Sequence, residues 1–202
     1  MRFPTALRPF VFALILLPSL CAPASGAAGQ ATAGSSALAN VEVLIVRHAE
    51  REGEEDKLTP AGVKRANAYA RYFKELTLDG RHVRLTHLFA EKSDRTRLTL
   101  TPLALAAGLG LDTRFSTKEY ENLVVDLRTH VYGHEILVCW HHSKIPDLIR
   151  SLGGDPDLLI PGGKWPKGTY DWIVDLRFDA FGKLSPSGEA LVHEHLMPGD
   201  SK

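Results

Sequence analysis

The sequence predicts an α/β protein, a three-layer sandwich around a mostly parallel central sheet. Three observations carry that expectation. Strand-like apolar runs (Val43–Val46, Leu85–Ala90, Glu135–Trp140) alternate with segments whose apolar residues recur at helical spacing. Two of the runs, "VLIV" and "EILVCW", lack polar alternation, as expected of strands covered by helices on both faces. Both of these runs end in histidine-bearing pairs, Arg47-His48 and His141-His142, at the strand ends where open α/β sheets bind ligands.

Each element has a local reason. Thr59-Pro60 opens the first helix, Thr59 as N-cap and Pro60 at the first helical position. Ala61, Val63, Ala66, Tyr69, Ala70, Phe73 and Leu76 then mark its apolar face. After the strand Leu85–Ala90 a helix is expected from Asp94 to Ala107, kinked or broken at Pro102 and ended by Gly108 and Gly110. A short strand follows around Leu111–Phe115, then a helix over Lys118–Val131 and the strand Glu135–Trp140. Ile145–Leu152 reads as a helix closed by Gly153-Gly154. Later strands are expected at Tyr170–Phe178 and Ala190–Leu196, with "GKLSPSG" between them as turn. Trp165, Tyr170 and Trp172 read as packing residues.

The N-terminus differs from the rest. Arg2 and Arg8 precede the apolar run Phe10–Leu17, and the small-residue stretch "CAPASGAAGQ" follows, the pattern of a secretory signal peptide over residues 1–27. The run is well short of the roughly 20 residues that span a bilayer, so no stable membrane insertion is expected after signal removal. Residues 28–40 are small and polar and read as a flexible leader, leaving 41–202 as one domain. The expected location is exported, periplasmic or secreted. If Cys21 leaves with the signal, Cys139 is the sole remaining cysteine, a core thiol with no disulfide partner. Twenty-four basic and twenty-four acidic side chains balance, which gives no electrostatic reason to expect nucleic acid as a partner.

Three blocks carry the chemistry. "RHAE", Arg47 to Glu50, ends the first strand, and "LTPAGVKRA" starts the next helix. "LFAEKSDRTRLTLTPLA" places Arg95 and Thr99 one helical turn apart, and "ILVCWHHSKIPDLI" ends a late strand on His141-His142. In this order they resemble the histidine phosphatase superfamily, phosphoglycerate mutase-like, in the branch carrying an Arg-His-Ala-Glu type motif. The resemblance covers most of Val41 to Leu152. It implies hydrolysis of phosphate monoesters through a phosphohistidine intermediate, with no metal and no cofactor. Ala49 for the commoner glycine, Trp140 and His142 for small residues, and Glu91-Lys92 for Ser-Pro are departures from the pattern.

The residue types fit such a reaction. Arginine's planar fork grips phosphate oxygens bidentately and keeps its charge, which suits Arg47 and Arg95, with Arg51 as a third candidate. A neutral His48 presents a ring nitrogen able to attack phosphorus. Register against the family's pattern favours His141 as the second catalytic histidine and leaves His142 for substrate binding. The leaving-group proton would come from an acid near the third strand, where Glu119 or Glu121 stands; both also fit as solvated charges at a helix start. Glu50 is expected to orient the nucleophile's loop. His193 and His195 share one strand face with no third ligand in view, so no metal site is expected there. The expectation is an exported, metal-independent phosphatase acting on a small phosphorylated substrate or a phosphoprotein. The alternatives are a phosphomutase of the same fold and a catalytically silent phospho-ligand-binding module.

Overall fold

The structure is a computed structural model that describes residues 36–53 and 56–201. The expected signal peptide and most of the leader lie outside the described residues. In chain order the elements are β1 (Glu42–Arg47), α1 (Pro60–Glu75), β2 (Thr77–Leu78), β3 (Arg81–His82), β4 (His87–Ala90), α2 (Asp94–Ala107), β5 (Leu111–Asp112) and α3 (Tyr120–Thr129). Then come β6 (Glu135–Trp140), α4 (Ile145–Leu152), α5 (Pro156–Leu159), a 3-10 turn at Pro161–Gly163, β7 (Trp172–Phe178) and β8 (Leu184–His193).

Six strands form one sheet in the order β5-β4-β6-β1-β7-β8. β5, β4, β6 and β1 run parallel, and β7 pairs antiparallel with both β1 and β8. β1 is buried along its whole length because both faces are covered. Val43 and Ile45 pack with Leu123 and Leu127 of α3 and with Leu148 and Ile149 of α4. Leu44 and Val46 turn the other way, toward Tyr69 and Phe73 of α1 and Leu100 and Leu103 of α2. Strand alternation thus builds the three expected layers. Burying each such aliphatic side chain contributes roughly 1.5–3 kcal/mol.

Several local expectations are corrected. α2 runs through Pro102 without a break, although that residue cannot donate the usual helical hydrogen bond. The last strand begins at Leu184, so the Ser-Pro-Ser-Gly stretch lies within it at the sheet edge, beside a register shift between Leu176 and Phe178. The hairpin β2–β3 is an additional element. Its turn, Asp79-Gly80, has positive φ at both residues, as a tight two-residue hairpin requires. The end of the expected leader is packed: Leu38 is fully buried in the core, and Asn40 N–H donates to the Asp179 carbonyl at 2.9 Å. Among the described residues no helix is long and apolar enough to cross a membrane. Cys139 is a buried free thiol whose pKa burial pushes well up, an unreactive core residue.

Candidate active site

The sheet brings the two histidine-bearing strand ends together. β1 and β6 are parallel neighbours in a register that pairs Arg47 with Trp140, so the next residues, His48 and His141, leave the same sheet edge side by side. His48 N–H donates to the Trp140 carbonyl at 3.2 Å, and the His48 and His141 ring centroids are 5.7 Å apart.

The His48 ring is wholly buried. Its Nδ1 lies 2.8 Å from the Ala49 carbonyl, which can only accept, so Nδ1 carries the proton and the lone pair sits on Nε2. Nε2 is buried with no hydrogen-bond partner among the described residues. Burial, and then the charges of Arg47 and Arg95, push the His48 pKa down to about 2, so the ring is neutral at physiological pH. The nitrogen facing the site is therefore nucleophilic.

The loop carrying His48 is clamped from two helices, and the clamps account for the sequence motifs. Thr59 caps α1 by accepting the Gly62 N–H at 3.1 Å, while its own N–H donates to the Glu50 carbonyl at 2.9 Å. A Cβ at Gly62 would lie 2.3 Å from that same carbonyl oxygen, so only glycine lets the helix pack this close. From α2, Thr99 accepts the Ala49 N–H at 2.9 Å and donates to the Arg95 carbonyl at 2.7 Å. Thr99 thus sets Arg95 and the loop that carries His48 in register. Behind the loop, Glu50 is held by buried Arg65, whose Nη2 approaches Oε1 at 2.7 Å.

Arg47 has more to do than the sequence implied. Its Nη1 donates to the carbonyls of Pro166, Lys167 and Thr169 at 3.2, 2.6 and 3.0 Å, and its guanidinium lies 4.0 Å from the Tyr170 ring centroid. It therefore fixes the 165–170 loop at the pocket while Nε remains buried and unpaired. Burial lowers its pKa to about 10, which leaves it charged at neutral pH. Tyr170 stands 6.2 Å from His48, ring to ring. It packs as expected, and it does so against Arg47 and His48 at the candidate site.

Arg95, in the first turn of α2, forms an ion pair with Asp56 through its buried Nε at 3.3 Å, a contact without hydrogen-bond geometry. The charge of Arg51 reaches Arg47, His141 and His142, although its Nη1 donates to the Gly53 carbonyl in its own loop. The Nδ1 of His141 accepts the Ser143 N–H at 3.3 Å and contacts the Ser143 hydroxyl at 2.8 Å, which fixes the ring. The His142 ring lies 4.4 Å from that of His141, and its buried Nδ1 has no hydrogen-bond partner among the described residues. Burial, followed by arginine charge, lowers both pKa values to about 4. Arg47, His48, Arg51, Arg95, His141 and His142 thus share one electrostatic environment.

Glu119 is placed differently. It is exposed and closes a turn by accepting the Ser116 N–H and hydroxyl at 2.8 and 2.6 Å, and these bonds lower its pKa. That favours the ionised form, which has no proton to give. Glu121 is exposed in the first turn of α3. Glu91 is buried at the end of β4 and accepts from the Ser93 hydroxyl at 3.1 Å and from the Thr117 hydroxyl, bracing the 113–119 loop on the sheet.

Solved structures resemble this architecture. The alpha-ribazole phosphatase of Shigella flexneri is 11% identical over 80% of this chain and 100% of its own, with a TM-score of 0.54. The phosphoserine phosphatase of Entamoeba histolytica, solved with 3-phosphoglyceric acid, is 17% identical over 78% of this chain and 100% of its own, with a TM-score of 0.51. The chain has the phosphoglycerate mutase-like α/β fold. No protein-family model and no curated protein matches the sequence. Within this fold the candidate site lies at the carboxyl ends of β1 and β6, and helices α1 and α2 brace the loop that carries His48.

Proposed function

We propose that the protein is an exported phosphatase that hydrolyses phosphate monoesters through a phosphohistidine intermediate at His48, without a metal ion. The observation that carries this reading is the unpaired, buried Nε2 of a neutral His48 in the field of Arg47 and Arg95. The phosphatase activities named for structures of the same fold support it. The export component rests on the N-terminal sequence pattern.

Arg47 and Arg95 grip the phosphate oxygens with N–H groups that make no hydrogen bond among the described residues, and Arg51 adds charge at the rim. His48 Nε2 attacks phosphorus, the ester P–O bond breaks, and the leaving oxygen takes a proton from water. His141, oriented by Ser143, donates from Nε2 to an equatorial oxygen as charge develops there. Water then attacks the phosphohistidine, releasing inorganic phosphate and restoring His48.

The test is turnover of a generic aryl phosphate in the presence of a chelator, followed by an acid or base quench. An acid-labile, base-stable phosphoprotein that disappears in His48→Ala together with turnover is expected. Turnover that survives His48→Ala would sink the mechanism. Binding of inorganic phosphate with no turnover would establish a silent binding module instead.

A further inference from the structure

His48, His141 and His142 each present one ring nitrogen, and the three nitrogens lie within 4.8 Å of one another. No other group of three such ligands occurs among the described residues. Two of the rings are set by parallel neighbouring strands, and the third is the histidine that departs from the superfamily pattern. The hydrogen bonds around the cluster leave one ring nitrogen of each histidine unengaged among the described residues. His48 commits Nδ1–H to the Ala49 carbonyl, so its buried Nε2 is open. His141 Nδ1 accepts the Ser143 N–H at 3.3 Å and meets the Ser143 hydroxyl at 2.8 Å, an outer partner that orients the ring, and metal binding at its Nε2 displaces the proton carried there. His142 Nδ1 is buried and without a partner.

We propose that this three-histidine cluster binds a divalent transition metal ion of the zinc class, which occupies the nucleophilic nitrogen of His48 and switches the site off. Zinc–imidazole bonds of about 2.0–2.1 Å on a tetrahedron place the nitrogens about 3.4 Å apart. Closing from the observed spacing takes modest rotation of His141 and His142, both partly exposed. Three imidazoles suit zinc, copper or nickel and give magnesium or calcium none of the oxygen ligands they require. The Arg47 and Arg95 charges act on the same histidines, so an anion bound beside the metal would offset their repulsion of the cation. The switching effect rests on the phosphatase reading above; the metal site does not.

The test titrates the chelator-treated protein with Co(II), whose visible absorption reports tetrahedral nitrogen ligation, and then displaces it with Zn(II). One ion per chain is expected. His141→Gln and His142→Gln should each weaken binding by at least about tenfold, since loss of even an outer partner of a metal ligand costs 10–100-fold. His134→Gln, which precedes β6 at the strand end opposite the cluster, should leave binding unchanged. Zinc should also abolish chelator-resistant aryl phosphate turnover over the same concentration range. Absence of saturable binding, binding indifferent to His141 and His142, or stimulation of turnover by zinc would each overturn the proposal. Histidine-dependent binding in a protein with no turnover upholds the metal site and removes the phosphatase reading. Turnover in chelator with no saturable binding does the reverse.

Discussion

Two groups of charged and polar residues flank the short stretch from Arg47 to Glu50, and they are built on opposite principles. On the pocket side, Arg47 Nε, His48 Nε2, Arg95 Nε and His142 Nδ1 are buried without hydrogen-bond partners, half of the eight such atoms among the described residues. On the far side, buried Arg65 is saturated. It pairs with Glu50 at 2.7 Å, Glu194 at 3.2 Å and Asp200 at 2.6 Å, while Tyr69 donates to Glu194 at 2.8 Å. Folded proteins rarely leave buried polar atoms unpaired, and doing so costs about 1–3 kcal/mol per group. The knot meets that rule and the pocket breaks it four times. The difference marks the pocket as a place prepared for a ligand and the knot as the structure that holds it open.

The comparison breaks most visibly at Arg65. Arg65→Ala removes the partner shared by Glu50, Glu194 and Asp200, leaves buried acids around a hole, and should destabilise the fold by about 3–5 kcal/mol in urea unfolding. It should also loosen the C-terminal residues that Asp200 ties down through the Leu196 and Met197 N–H groups. Arg95→Ala is the opposite case. It should leave unfolding almost unchanged and lower kcat for an aryl phosphate by about 10²–10³-fold, the scale of losing one preorganised donor to developing charge. If Arg95→Ala unfolds the protein and Arg65→Ala spares it, the division of labour is refuted.

The two late histidines sharpen the contrast within the pocket. His141 is fixed by Ser143, whereas His142 has a free Nδ1. His141→Ala should therefore lower kcat by about 10²-fold or more, and His142→Ala by no more than about tenfold, mainly in KM. Equal losses in kcat would show that the fixed ring is not the privileged one.

The pocket was far more legible in the sequence than the knot. Arg47, His48, His141 and His142 end two apolar strands, and strand ends in a parallel sheet share an edge, so their meeting follows from local pattern and topology. Gly62 and Thr99 belong to recognisable motifs whose reasons, a close helix approach to Glu50 and a bond to Ala49, appear only in three dimensions. The knot joins residues separated by 15, 129 and 135 positions, and no local periodicity reports such a pairing. The 165–170 loop was equally obscure, because backbone carbonyls accepting from Arg47 leave no side-chain signature. The Asp79-Gly80 hairpin, by contrast, carried its turn signal in plain view.

Acid should expose the pocket's side of the comparison with the smallest effect of the set. Histidine in an unfolded chain titrates near about 6.5, while His142 in the fold is held down to about 4, chiefly by burial. Between those values the unfolded chain takes up a proton that the folded one refuses, so the contribution of His142 to stability falls as pH drops from 6.5 toward 4 and is constant above 6.5. His48 extends the same loss toward pH 2. Glu194 and Asp175 act in the opposite sense, because burial raises them to about 8 and about 7 and each therefore favours the fold as pH falls through that range. Total stability thus mixes two slopes, and the clean readout is a difference between proteins. His142→Gln, compared with the unaltered chain by urea unfolding, should be relatively more stable at pH 5 than at pH 7.5. A difference that is flat between those pH values, or runs the other way, would mean that the His142 ring accepts its proton in the folded pocket and that the pocket is wetter and less cationic than its geometry indicates.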